Sequence, residues 1–137
     1  IKNPLTLNNI CAPVADDSIQ GSRCISGLFY VAMAQANLSL DWAKDFCPQM
    51  DEVFRGQCFA NSASRLIEVD SANIDLALEL CEFSTSVEGV GRQCYDELLT
   101  YSGYTFLVGS PEFYKLCNGL PDTLSQVCLN QRPVSKI

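Results

Sequence analysis

The eight cysteines of this chain stand at positions 11, 24, 47, 58, 81, 94, 117 and 128, at intervals of 13, 23, 11, 23, 13, 23 and 11 residues. A shift of 70 residues carries Cys11, Cys24, Cys47 and Cys58 onto Cys81, Cys94, Cys117 and Cys128. The sequence is therefore an internal repeat, and whatever forms around one cysteine pair must form again around the others. An even count at this density belongs to an oxidising compartment, so the chain is expected to be extracytoplasmic: secreted, periplasmic or cell-surface. Metal binding, the competing use of cysteine, calls for closely spaced knuckles or histidine partners. Here the closest pair is 11 residues apart and histidine is absent, so neither metal nor cofactor is expected.

A common grammar precedes each odd-numbered cysteine. The segments Asn3–Cys11, Ser39–Cys47, Asn73–Cys81 and Ser110–Cys117 each begin with a residue whose side chain suits a helix N-cap. Pro4 and Pro111 occupy the first helical position, where the missing N–H costs nothing. One and four residues before the cysteine the side chain is apolar or small: Ile10 and Leu7, Phe46 and Ala43, Leu80 and Ala77, Leu116 and Phe113. One helical face thus carries the cysteine and its apolar neighbours. These four short helices are termed A helices.

A longer B helix is expected around each even-numbered cysteine. Pro48 reads as the start of the second, followed at helical spacing by Met50, Val53, Phe54, Cys58, Ala63, Leu66 and Ile67. Ile25, Leu28, Phe29, Ala32 and Ala36 mark the first, and Val87, Val90, Cys94, Leu98 and Tyr101 the third. The connections Ala12–Arg23 and Glu82–Gln93 read as less helical, with Pro13 and the Gly89-Val90-Gly91 turn as breakers. B helices are expected to stop near Asn37, near Asp70 and Ser71, and near Gly109, and Pro133 cuts the fourth short.

The expected architecture is all-α: one domain, 1–137, built of four helix–turn–helix units at 3–37, 38–71, 72–109 and 110–132, each with one cysteine pair. The period of about 34 to 36 residues resembles the tetratricopeptide class of α-solenoids, and in particular its Sel1-like branch, where each helical pair carries its own cysteine pair. That resemblance implies a short, disulfide-stapled α-solenoid whose repeat-built surface binds proteins.

Two disulfide schemes respect the repeat. The local one joins Cys11–Cys24, Cys47–Cys58, Cys81–Cys94 and Cys117–Cys128. The other joins Cys24–Cys47, Cys58–Cys81 and Cys94–Cys117, and strands Cys11 and Cys128 at opposite ends of an open array. The local scheme is preferred on that ground. It carries a geometric difficulty: in one straight helix from Pro48, Cys58 would lie roughly 15 Å along the axis, beyond the reach of a disulfide.

Formal net charge is −7, and the nine Lys and Arg residues are scattered, so no nucleic-acid surface is expected. No apolar run is long enough to span a bilayer. Without histidine the usual base for a serine or cysteine nucleophile is missing. Lys44 and Lys115 read as solvated helix-face charges, and the carboxylate pairs Asp16-Asp17, Asp41/Asp45 and Asp51-Glu52 as exposed acidic faces. No enzyme is expected. Asn37-Leu38-Ser39 fits a glycosylation sequon at Asn37, though its ordinary reading is a helix C-cap followed by an N-cap. Most aromatics read as core. Trp42, Tyr114 and the run Tyr104–Val108, with Phe106 inside it, are candidates for a partner surface. The leading expectation is a non-catalytic structural or protein-interaction module. The alternative is a carrier of a small hydrophobic ligand or lipid in a disulfide-bonded helical shell, suggested by the aromatic and aliphatic surplus and the charge-poor stretch Cys24–Leu40.

Overall fold

The computed structural model describes residues 9–14, 18–36 and 39–131, and all secondary structure among them is helical. Residues 9–11 are helical and are termed α1. It is followed by α2 (Ser18–Ala36), α3 (Leu40–Phe46), α4 (Glu52–Val69), α5 (Ile74–Ser84), α6 (Gln93–Thr105), α7 (Pro111–Gly119) and α8 (Asp122–Leu129). Odd-numbered helices are the A helices and even-numbered ones the B helices. Contacts run α2 to α4 to α6 to α8 in one series and α3 to α5 to α7 in the other, and α4 packs most extensively on α6 and α5.

Four disulfides join Cys11–Cys24, Cys47–Cys58, Cys81–Cys94 and Cys117–Cys128, with Cα separations of 5.8, 5.5, 5.1 and 5.3 Å. The difficulty at Pro48 is removed by a break in the chain. Pro48 does not begin the second B helix: it lies in a 3₁₀ turn, Cys47–Gln49, after which Met50 and Asp51 are extended and α4 starts at Glu52. Cys58 is then only six residues into its helix, about 9 Å along the axis, and returns beside Cys47. Met50 is buried in the bend, and its carbonyl accepts a hydrogen bond from Arg55 Nε at 2.9 Å. Arg55 Nη1 also donates to the Glu88 carbonyl at 3.2 Å, tying this bend to the connection of the third unit.

Helix starts follow local capping chemistry at two places. Ser39 Oγ accepts from the Trp42 N–H at 3.1 Å and Ser110 Oγ from the Phe113 N–H at 3.2 Å, with Pro111 at the first position of α7. At Asn73 the expectation is corrected. Asp70 caps a preceding 3₁₀ turn by accepting from the Ala72 N–H at 2.9 Å, while Asn73 Nδ2 donates to the Leu66 carbonyl at 2.9 Å and so closes the end of α4. Asn3 and Pro4 lie outside the described residues, as do Leu7, Asp16, Asp17, Asn37 and Pro133.

The connections differ from expectation in extent. In the first unit, α2 already begins at Ser18, and in the third, α5 runs past Cys81 to Ser84. There the hydroxyls of Ser84, Thr85 and Ser86 each donate to the carbonyl three residues back at 2.7 Å, which competes with helix continuation. Gly89 and Gly91 take left-handed φ values of 82° and 60° and turn the chain around buried Val90. The third B helix ends at Thr105, four residues before the expected stop near Gly109, because Phe106 adopts an extended conformation.

The core is one cluster threaded through all four units, with Phe29, Phe59 and Phe113 its largest fully buried side chains. Ala43, Phe46, Ala77, Leu80, Phe113 and Leu116 bury the A-helix face as the repeat predicts. Ile10 and Val53 do not follow the pattern, being 48% and 65% exposed. Val53 sits beside buried Phe54, which takes the inward position of the first turn of α4.

Candidate interaction surface

The four candidate residues divide into two inward and two outward side chains. Trp42 stacks on Phe46, ring centroids 4.6 Å apart and planes 20° from parallel, and Phe46 meets Phe29 edge-on at 6.3 Å. Trp42 therefore covers the core of the first two units. Phe106 turns inward as well, meeting Tyr101 edge-on at 6.2 Å. That contact lets the chain leave α6 in an extended conformation while its neighbours point away. Tyr104 is 88% and Leu107 77% exposed. Tyr114 is half-exposed on α7, edge-on to Phe113 at 5.7 Å, with its hydroxyl reaching the bend at Gly109. Tyr104 and Tyr114 thus flank the same 106–110 bend. Asn37, the glycosylation candidate, lies outside the described residues.

Beside Tyr104 runs an open groove of about 340 Å³, lined by Leu99, Thr100, Gly103 and Tyr104 on α6 and by Val127 and Gln131 at the end of α8. α8 stops at Leu129, and Gln131, just beyond its end, closes one side of the groove against the second half of α6. The wall is fixed by buried Ser102, whose hydroxyl donates to the Leu99 carbonyl at 2.6 Å and accepts from Gln131 Nε2 at 2.9 Å. Ser102 Oγ also lies 3.4 Å from Cys128 Sγ, so the groove is anchored to the last disulfide. Gly103 permits the approach, since a side chain there would collide with Gln131. Leu99, Gly103, Val127 and Gln131 were not singled out by the sequence pattern. Their one signal is the shortness of the fourth B helix.

A second hollow of about 260 Å³ lies between the N-terminal ends of α5 and α7, lined by Ser71, Ala72, Ile74, Pro111, Glu112 and Lys115. Lys115 Nζ pairs there with Asp75 at 3.1 Å. Lys44 lies 5.4 Å from the centre of the Phe83 ring, a cation–π contact between units. Burial pushes the Glu97 carboxyl above its ordinary range. Burial, and secondarily the charge of Glu82, push the Tyr95 phenol up. Among the described residues no group of three His, Cys, Asp or Glu side chains is arranged to hold a metal, and no helix is long and apolar enough to cross a membrane.

Compared with family models, with curated proteins and with solved structures, the chain finds no match in any of the three.

Proposed function

We propose that this chain is a non-catalytic module of an extracytoplasmic compartment, a short disulfide-rigidified α-solenoid that acts by binding a protein partner. The observation that carries the reading is the exposure of Tyr104, 88%, in the wall of an apolar groove, with Leu107 77% exposed three residues further along the chain. Exposed aromatic and aliphatic side chains on a rigid support are what protein interfaces use as anchors, because little conformational entropy is lost when they dock. The support is rigid here for a local reason: inward Phe106, the Ser102–Gln131 bond and the Cys117–Cys128 disulfide fix the rim. The oxidising compartment is supported by four disulfides whose cysteines, Cys24 excepted, are fully buried.

The test places a photoreactive phenylalanine analogue at position 104 of the oxidised protein and irradiates it in the native extracytoplasmic fraction. The expected result is a discrete cross-linked protein that disappears with Leu107→Asp and does not form from the same analogue at Val53, an exposed residue of α4. Equal labelling from both positions, or none, would overturn the reading. Recovery of a stoichiometric hydrophobic compound from an organic extract would instead assign the groove to a small ligand.

A further inference from the structure

Arg92 is the one basic residue of this chain that stands in a connection between helices. The stretches 12–17, 37–39, 48–51, 70–73, 106–110 and 120–121 contain neither lysine nor arginine. Among the described residues the other cations all lie inside helices: Arg23 in α2, Lys44 in α3, Arg55 and Arg65 in α4, and Lys115 in α7. Most of those are also engaged. Lys44 covers the Phe83 ring, Arg55 bonds the Met50 and Glu88 carbonyls, Arg65 pairs with Glu68 at 3.3 Å, and Lys115 pairs with Asp75. Arg92 is exposed, and its side chain makes no ion pair or hydrogen bond with any described residue.

The backbone around Arg92 is lightly held. α6 begins at Gln93 without a side-chain cap, unlike α3 and α7, whose first turns are closed by Ser39 and Ser110. Its first bond runs from the Asp96 N–H to the Arg92 carbonyl at 3.0 Å. Before it, Gly89 and Gly91 take left-handed φ values, and a Cβ on Gly91 would meet nothing within 4 Å. Glycine passes from that region to an extended conformation without steric cost, and exposed connections of this kind are where chains are nicked. Opening 89–93 breaks the Asp96–Arg92 bond, the 3.3 Å bond from the Val90 N–H to the Val87 carbonyl, and the burial of Val90. Cutting at any other described Lys or Arg requires a packed helix to come apart, a rarer opening.

We infer that the Arg92–Gln93 bond is a processing site for a serine protease of trypsin-like specificity, and that Cys81–Cys94 keeps the cut chain in one piece. A carboxylate in the specificity pocket of such an enzyme pairs with the Arg92 guanidinium. The protease serine attacks the Arg92 carbonyl carbon, the C–N bond breaks, and Gln93 leaves as an amine with the proton passed on by the enzyme's histidine. Water then hydrolyses the ester and leaves Arg92 with a free carboxylate. The cut falls inside the 13-residue separation closed by Cys81–Cys94. The piece ending at Arg92 stays anchored by buried Val90 and the Arg55–Glu88 bond, and the piece beginning at Gln93 by buried Cys94 and by its own first side chain against Gly56. The new ammonium enters the first turn of α6 together with Asp96, whose carboxylate offsets the unfavourable place of a cation at a helix N-terminus. None of this involves a partner at Tyr104, so the two proposals fail separately.

The experiment is limited digestion of the native, oxidised chain with trypsin, read by intact mass and terminal sequencing. The expected first cut between residues 23 and 115 follows Arg92. The product stays one species in denaturant, and separates into a piece ending at Arg92 and a piece beginning at Gln93 only when reduced. Arg92→Lys should keep that cut, and Arg92→Gln should slow it roughly a hundredfold or more. Both variants should melt with the parent chain, because the replaced side chain is exposed and unbonded. A first cut at Arg23, Lys44, Arg55, Arg65 or Lys115, or cleavage of Arg92→Gln at the parent rate, would overturn the proposal. So would release of the piece beginning at Gln93 without reductant, or a native chain left uncut under conditions that digest the reduced one.

Discussion

Gly56 of α4 lies against the side chain of Gln93 on α6, so close that a methyl group on the glycine would overlap the amide. The overlapping atoms are at the free end of a flexible side chain, and alanine gains about 1 kcal/mol over glycine in a helix interior. Gly56→Ala should therefore change stability by no more than about 1 kcal/mol. Gly56→Leu has no such escape and should cost roughly 1–3 kcal/mol by overpacking. Urea unfolding of the oxidised protein distinguishes them; equal tolerance would mean that α4 and α6 are not in this contact.

The third disulfide closes a 13-residue separation between two fully buried cysteines. Replacing both, Cys81→Ala with Cys94→Ala, should cost about 3 kcal/mol through the added freedom of the unfolded chain. Non-reducing peptide maps should contain the Cys81–Cys94 link and no link across a 23-residue interval such as Cys58 to Cys81. A recovered Cys58–Cys81 peptide would contradict the fold directly.

Ser102 is a buried hydroxyl that both donates and accepts. Ser102→Ala removes the partner of Gln131 and should destabilise by about 1–2 kcal/mol. Thr100→Ala, on the exposed side of the same helix, should stay within about 0.5 kcal/mol. Amide exchange at 129–131 should accelerate only in the first variant, because the Gln131–Ser102 bond ties the end of that segment to α6.

Glu97 gives the fold a pH dependence of known sign. Burial raises its folded pKa above the unfolded value, so its unfavourable contribution is complete above the folded pKa and is relieved as pH falls through it. Glu97→Gln should be more stable than the parent chain at neutral pH. The difference should shrink on acidification and vanish below the unfolded carboxyl value of about 4.3. Thermal melts across that range read it; a constant difference would mean that the carboxylate is already well solvated.

The features legible in the sequence are those decided locally. Ser39 and Ser110 cap their helices because a hydroxyl three residues from an orphan N–H has little else to do. Asn73 has the same residue chemistry, but Asp70 starts a turn first and the freed amide is drawn to the Leu66 carbonyl. Pro48 reads as a helix start, but Met50 is buried and Arg55 bonds both the Met50 carbonyl and, in the third unit, that of Glu88, a long-range contact that local spacing does not show. Ile10 carries the periodicity of its three equivalents yet is 48% exposed, so spacing alone does not decide its burial. At the candidate surface, Tyr104 stands out in an unusually apolar helix end. The groove beside it does not, since it is made where Gln131 meets Ser102 across 29 residues.

Every disulfide closes inside its own unit, so no covalent bond other than the backbone crosses from one unit to the next. Pulled at its two ends, such a chain would yield by peeling one helix pair from its neighbour. The 23-residue intervals would lengthen while the loops of 13 and 11 residues stayed locked. Extension would come in discrete steps, and on release each unit would return with its cysteines already correctly joined. A string of pre-tied hairpins is in this sense a spring with a built-in stop.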